Sequence, residues 1–200
     1  MYTLINGSPK PKGSNSLYFL KNISSKLNKY KIYELKKNKY EEILKSINES
    51  DTIIFSFPLY VDSPTSIVLS FLDYIIDRKI KLDDKLIYIV INCGFREGKQ
   101  NITAINIMKR WCEKVNAIYN GSIMIGAGEI IGKEKYKFIS RKALKKLRYF
   151  TNAIKLKEKS ADVIVTMDLL NNKLYCYMAN LSWNKKGKLN NLSESDLKLK

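Results

Sequence analysis

The chain contains no histidine, and that absence removes more chemistry than any other feature of its 200 residues. Without imidazole there is no Ser-His or Cys-His nucleophile pair and no general base that titrates near neutrality, so hydrolases of those types are excluded. Cysteine is scarce as well. Cys93, Cys112 and Cys176 lie far apart, with no Cys-x-x-Cys spacing and no histidine to complete a zinc set, so zinc and iron-sulfur centres are not expected. No apolar run is long enough to cross a bilayer, and the N-terminus shows no basic leader followed by an apolar core. A soluble, cytoplasmic protein without membrane partners is the expectation. Acidic residues number 19 against 36 Lys and Arg, for a formal charge of +17. Only Arg78, Arg96, Arg110, Arg141 and Arg148 are arginines, and the lysines are scattered over helix surfaces and tails. Bidentate readers are therefore few, specific nucleic-acid binding is not expected, and the positive field is expected to gather phosphorylated small molecules.

What is present is a chain that is 45% hydrophobic and long enough for one substantial core. Apolar runs alternate with helical patterns, the mark of parallel strands joined by crossover helices. Strands are predicted at 2–6, 31–35, 51–57, 85–92 and 121–125, and helices at 16–28, 40–48, 65–76, 101–115 and 141–157. The run 51–57 is apolar throughout, as a strand buried on both faces would be, and Pro58 is expected to stop it. Five strands and five helices in this order match an α/β fold of the flavodoxin-like, doubly wound kind: a five-stranded parallel sheet with helices on both faces. That domain is expected to occupy 1–159. Residues 160–200 break the alternation and form a C-terminal extension, with 163–165 either a short strand or a bridging loop and 174–183 helical. It is expected to pack on the domain or at a dimer interface.

Between the first strand and first helix the chain reads Gly7-Ser8-Pro9-Lys10-Pro11-Lys12-Gly13-Ser14-Asn15-Ser16. Ser14, Asn15 and Ser16 are good N-cap types, and Leu17, Phe19, Leu20, Ile23 and Leu27 recur behind them at helical spacing. Unpaired first-turn amides, the helix dipole, the hydroxyls of Ser8, Ser14 and Ser16, and the charges of Lys10 and Lys12 suit a dianionic phosphate. A nucleoside-triphosphate P-loop is excluded, because five residues separate the two glycines and Ser14 follows Gly13 directly. Gly126, Gly128 and Gly132 miss the dinucleotide fingerprint by one residue. The bland alternative for the first loop is a plain strand-to-helix connection with a Pro turn and a cap.

In a flavodoxin-like sheet, two further loops converge with this one at the carboxyl edge. One is Pro58-Leu59-Tyr60-Val61, with an aromatic ring and expected free amides; the other is Cys93-Gly94-Phe95-Arg96-Glu97-Gly98. Taken together, these motifs resemble the NAD(P)H-dependent FMN reductase family, in a subgroup common in anaerobic Firmicutes; Trp111-Cys112, Gly126-Ala127-Gly128-Glu129, Ala179-Asn180 and Trp183 extend the likeness. The resemblance implies that Ser8, Lys10, Ser14, Asn15 and Ser16 hold the FMN phosphate. It implies further that Pro58, Leu59, Tyr60 and Val61 line the flavin ring, and that Cys93, Gly94 and Phe95 close its other edge. Each of the last group has a plainer reading: Tyr60 as a cover for apolar surface, Cys93 as a small packing residue, Phe95 as a plug for the sheet end. The implied activity is electron transfer from NAD(P)H through FMN to a small acceptor such as a quinone, nitro compound or flavin, by a homodimer with no catalytic side chain and no metal. The alternative is a flavodoxin-like carrier that does not itself oxidise NAD(P)H. The compact cysteine cluster of iron-sulfur flavoproteins and the Thr-x-Thr-Gly-Asn-Thr loop of electron-carrier flavodoxins are both missing.

Overall fold

Strand β1 (Tyr2–Asn6) lies between β2 (Tyr30–Glu34) and β3 (Thr52–Pro58), and the sheet continues through β4 (Leu86–Asn92), β5 (Ile118–Ile125) and β6 (Val163–Val165). All neighbours are parallel. This computed structural model describes residues 1–10, 12–131, 137–167, 171–193 and 195–197. Parallel neighbours require crossovers, which α1 (Asn15–Ser24), α2 (Tyr40–Asn48), α3 (Ser66–Asp77), α4 (Ile102–Lys114) and α5 (Lys137–Leu156) supply. The chain adds β2 on one side of β1, then returns to add β3 on the other. The resulting order, 2-1-3-4-5 with β6 appended, is that of the flavodoxin-like doubly wound fold, and it reverses between β1 and β3.

The sheet is buried on both faces, which is why its central strands read as apolar runs without alternation. On one face Ile5, Phe55, Phe57, Ile89 and Ile91 join the buried sides of α2, α3 and α4 in a single cluster. Trp111 anchors it, with its ring edge-on to Phe55 at 5.8 Å and its Nε1–H donated to the Leu72 carbonyl at 3.3 Å. On the other face Leu4, Ile54 and Tyr88 are fully buried, as are Phe19, Leu20 and Ile23 of α1. Tyr88 meets Phe150 of α5 edge-on at 5.9 Å. Some polar side chains that enter this interior are paired, as where Thr3 Oγ1 lies 2.8 Å from Ser46 Oγ and 2.7 Å from Ser50 Oγ, whereas Thr52 Oγ1 and Ser56 Oγ of β3 are buried without a partner.

The sheet departs from the sequence expectation at three points. The sheet has six strands and not five, because Val163-Ile164-Val165 pairs with Ile123, Met124 and Ile125. Three residues are too few to carry a period of their own, so only the neighbouring strand identifies them. The first compact unit runs from Met1 to Thr166, and Met167–Lys200 forms the second. Pro58 does not stop β3 but closes it, in register with Asn92. Strand β5 also begins three residues early, since the register skips Asn120 between Tyr119 and Gly121 and a bulge interrupts the pattern there. In the second unit α6 (Asn172–Leu189) is capped by Asn171, whose Oδ1 accepts the Leu174 amide at 2.8 Å. Among the described residues no helix is long and apolar enough to cross a membrane.

One surface cluster fixes the approach to β6. The Asp162 carboxylate accepts from Lys109 Nζ at 2.6 Å, from Ser122 Oγ at 2.8 Å and from the Tyr119 hydroxyl. Burial raises the Asp162 pKa, but the hydrogen bonds from Lys109, Tyr119 and Ser122 outweigh it and hold the carboxyl below its usual range. Because the folded carboxyl has the lower pKa, its stabilisation is complete above the unfolded value of ~3.9 and fades as the pH falls through the folded one. Asp162→Asn is expected to cost about 2 kcal/mol in urea unfolding at pH 7. The gap between variant and wild type should close on acidification below about pH 4, as denaturation curves across pH 3 to 7 would show.

Candidate functional site

Loops 7–14, 59–65 and 93–101 leave the carboxyl ends of β1, β3 and β4 at the point where strand order reverses. Open α/β sheets bind ligands at such a switch. Specific hydrogen bonds tie the loops together. The Gly7 carbonyl accepts from Thr65 Oγ1 at 2.7 Å, and the Gly7 amide donates to the Ser56 carbonyl at 2.8 Å. A Cβ on Gly7 would stand 2.3 Å from Val68 Cγ2 and 3.1 Å from Phe57 Cβ, so α3 approaches the first loop more closely than any side chain would permit. Asn92 makes the second tie: its Nδ2 donates to Ser16 Oγ at 3.2 Å and to the Phe57 carbonyl at 3.3 Å, while its carbonyl accepts the Leu59 amide at 2.7 Å.

The first loop then presents donors. Ser14 takes an extended conformation (φ −76°, ψ 152°) and caps α1, its Oγ accepting the Leu17 amide at 3.1 Å. Ser8 Oγ accepts the Lys10 amide at 3.3 Å. A hydroxyl whose oxygen accepts from the backbone still has its proton to donate, and both residues are buried, at 7% and 8% exposure. The Asn15 and Ser16 amides in the first turn have no intrahelical acceptor. Lys10 and Lys12 are exposed, and the first turn of α1 carries no acidic residue. Ser16 differs from the expectation for it: the residue is 1% exposed and its hydroxyl oxygen accepts from Asn92, so it serves the inside of the loop. The set of two O–H donors, free amides and cations fits a phosphate dianion.

The second loop is a tight hairpin turn. Tyr60 and Ser63 exchange backbone hydrogen bonds at 3.0 and 3.1 Å around Val61 (φ +48°) and Asp62 (φ +54°), an arrangement of the type I′ kind. The expectation of free amides along this loop is therefore corrected: Leu59 and Tyr60 use theirs on Asn92 and Ser63. Leu59 is buried in the core cluster, whereas Tyr60 is 53% and Val61 99% exposed. A β-branched residue in left-handed conformation costs about 1–2 kcal/mol, and no packing of Val61 offsets it. A strained, solvent-facing apolar lip at a ligand crevice is the kind of outlier that marks a functional position.

The third loop is held from below. Cys93 donates its amide to the Ile125 carbonyl at 3.0 Å, and its own carbonyl accepts from Gly128 at 2.9 Å. Its Sγ accepts Asn101 Nδ2 at 3.4 Å and lies 3.7 Å from the carbonyls of Phe95 and Glu97. Burial pushes the thiol pKa up, and the bonds from Asn101 and Phe95 oppose it only in part. Cys93 is thus turned into the loop's own structure, as the packing reading of this residue requires. Gly94 and Phe95 face outward: a Cβ on Gly94 would meet nothing within 4 Å, and Phe95 is 57% exposed. The glycines that nearly match a dinucleotide fingerprint are a buttress for this loop. A Cβ on Gly126 would lie 2.2 Å from the Arg96 carbonyl and one on Gly128 2.7 Å from Asn92 Oδ1. Gly132, like Pro11, lies outside the described residues.

Thr65 and Asn92 are the functional positions that sequence reasoning missed. Each left a weak signal. Thr65 stands at the N-cap of α3 yet makes no cap bond, because its hydroxyl serves Gly7; Asn92 is a lone amide ending an apolar run.

These features define a flavodoxin-like α/β protein with three loops gathered at its switch point. No protein-family model matches the chain, and no curated protein matches it in sequence. Solved structures match its fold. An NADPH-quinone reductase from P. pentosaceus aligns at TM-score 0.60 and 16% identity, over 78% of this chain and 97% of its own. An NADH:FMN oxidoreductase in its apo form aligns at TM-score 0.58 and 13% identity, over 80% and 90%. A flavodoxin from Streptococcus pneumoniae gives TM-score 0.58 and 13% identity, over 78% and 99%.

Two measurements check this geometry. Burial pushes the Cys112 thiol up to about 12 and raises that of Cys93, whereas Cys176 is exposed. In native protein at neutral pH iodoacetamide is therefore expected to label Cys176 alone, with Cys93 and Cys112 following only in denaturant, as peptide mass spectrometry would report. Val61→Asn, which tolerates the left-handed conformation, is expected to raise stability by about 1 kcal/mol in urea unfolding.

Proposed function

We propose that the chain is an FMN-dependent oxidoreductase that passes electrons from NAD(P)H through bound FMN to a small acceptor such as a quinone, a nitro compound or another flavin, and that it works as a homodimer. The observation that carries this reading is the first loop itself: Ser8 and Ser14, whose oxygens accept backbone amides, and the N-terminus of α1 lie together on the loop that leaves β1 at the β1/β3 switch. The solved structures named above, which include an NADPH-quinone reductase and an NADH:FMN oxidoreductase, support it.

On this reading Ser8, Lys10, Ser14 and the amides of Asn15 and Ser16 bind the phosphate. Pro58, Tyr60 and Val61 flank one side of the ring, and Gly94 and Phe95 the other. When bound, FMN supplies the redox chemistry: it accepts two electrons and a proton equivalent from the nicotinamide and returns them to the acceptor. The protein's part is positioning. Thr65 fixes the first loop to the root of α3, Asn92 fixes α1 against the second loop, and Cys93 holds the third loop closed on itself. No side chain at the crevice need act as an acid or base, which accords with a chain that has no histidine. The exposed aromatics Tyr60 and Phe95 offer flat apolar surface to a planar substrate.

Purified protein titrated with FMN is expected to quench flavin fluorescence and to retain the yellow cofactor through gel filtration. Anaerobic NADH or NADPH should bleach it within the time of mixing; reduction only by a partner protein would point to the carrier alternative. Ser14→Asp keeps a competent N-cap but sets a carboxylate where the phosphate would lie. It is expected to weaken FMN binding at least 100-fold at unchanged thermal stability. Undiminished affinity in that variant would overturn the assignment.

A further inference from the structure

Lysines that look scattered along the sequence are gathered by the fold. Helix α5 packs beside α1 on the face of the sheet that holds Leu4, Ile54 and Tyr88. Neither helix contains an acidic residue, and none occurs anywhere from Gly7 to Tyr33. The exposed cations Lys21 and Lys26, on and just after α1, therefore join Arg141, Lys145, Arg148 and Lys155 of α5 in one face of a single sign. On the opposite side of the sheet the charges are mixed, with Glu41 and Glu42 on α2, Asp73 and Asp77 on α3 and Glu113 on α4. The basic face also holds apolar side chains in water. Phe138, Lys145, Tyr149 and Leu156 follow one another at i, i+7, i+11 and i+18, which sets them on one line opposite the buried Ala143, Leu147, Phe150 and Ile154. Phe138 is 72%, Tyr149 62% and Leu156 63% exposed, and the line runs ~27 Å along the helix. Beside it lies a cleft of about 390 Å³ between the end of α1 and α5, lined by Ser25, Lys26, Leu144, Leu147, Arg148 and Thr151. Among the described residues neither Lys26 nor Arg148 has a carboxylate partner.

We propose that the α1–α5 face docks on an anionic lipid surface, with Phe138, Tyr149 and Leu156 dipping into the interface, the surrounding cations against headgroup phosphates, and one headgroup in the cleft between Lys26 and Arg148. Cations beside an apolar line are how a helix lies in the plane of a membrane interface, and the two attractions together give an attachment that neither gives alone. Lys and Arg extend their charged heads to the phosphates while their stems cover apolar surface. Basic clefts between helices accept lipid headgroups. Other occupants fit this face less well. A second copy would bring charge of the same sign to it, and residues 167–200 are themselves net positive, with six lysines against three acidic residues. A nucleic-acid strand is tracked by cations along a groove, with rings on which its bases stack, whereas here the rings stand on the convex side of a helix and the line ends in the aliphatic Leu156. The sequence expectation of no membrane partner rested on the lack of a spanning segment and on the scatter of the lysines. Attachment to a surface needs no span, and the scatter does not survive folding.

Lipid attachment goes beyond the flavin reading and does not depend on it, so it is measured without FMN. The chain is expected to co-sediment with vesicles of about 30% phosphatidylserine in phosphatidylcholine, in about 0.1 M salt, at least 10-fold more strongly than with phosphatidylcholine alone. Lys145→Glu with Arg148→Glu is expected to weaken that binding at least about 10-fold. Phe138→Ser with Leu156→Ser, at unchanged charge, is expected to weaken it about 10-fold as well. Lys37→Glu with Lys114→Glu, an equal change of charge beside α2 and at the end of α4, is expected to leave it within about 2-fold. All six positions are exposed, and cooperative urea unfolding confirms that each variant is native. Binding that ignores either α5 pair, or that falls as far in the Lys37 and Lys114 pair, overturns the proposal and leaves only the net charge of +17. So does a chain that stays in the supernatant with both kinds of vesicle, or one that a single-stranded oligonucleotide strips from them through a tighter complex sensitive to the same substitutions. None of these outcomes bears on FMN binding, which the fluorescence titration reads separately.

Discussion

The whole site depends on how closely α3 and β3 come to the turn after β1. Gly7 has Val68 and Phe57 within the space a Cβ would need, its amide is bonded to Ser56 and its carbonyl to Thr65. That contact sets the height of the first loop relative to the second. From it follow the direction in which α1 leaves the sheet and the place of the Ser14 cap. Any residue other than glycine would force α3 back and break the bond from Thr65, and the loops would no longer share one crevice.

Around that contact the loops are not equivalent. The first is a donor surface, rich in groups that hold an anion. The second is a strained lip, with Val61 in a conformation its branched side chain resists and almost wholly exposed. The third is tied from below, because Cys93 bonds Ile125 and Gly128 through its backbone and Asn101 through its sulfur. The wider charge of +17 adds a field that favours anionic substrates without specifying which.

The fold was legible because its long-range features have short-range signatures. Strands buried on both faces announce themselves as apolar runs, and α1 announced itself through Ser14 and its helical apolar spacing. Parts of the site were legible for the same reason: the donor residues of the first loop are consecutive, and their chemistry is local. Leu59 and Cys93 were harder, since nothing in a loop sequence states which side chains turn inward. The amides of the second loop were misjudged because the turn that consumes them requires positive φ at Val61, a residue type that argues against it. Strand β6 was left open because three residues carry no periodicity.

The sequence by itself determined the alternation of strands and helices, the serine and lysine content of the first loop and the absence of imidazole chemistry, since each is read from residue types and their local order. Only the tertiary structure decided that Thr65 serves Gly7 and not its own helix, that Asn92 ties α1 to the second loop across 76 positions, and that Gly126 and Gly128 prop the third loop instead of binding a nucleotide. Those roles are set by which atoms the folded sheet brings within hydrogen-bonding or van der Waals reach, and sequence distance carries no record of that.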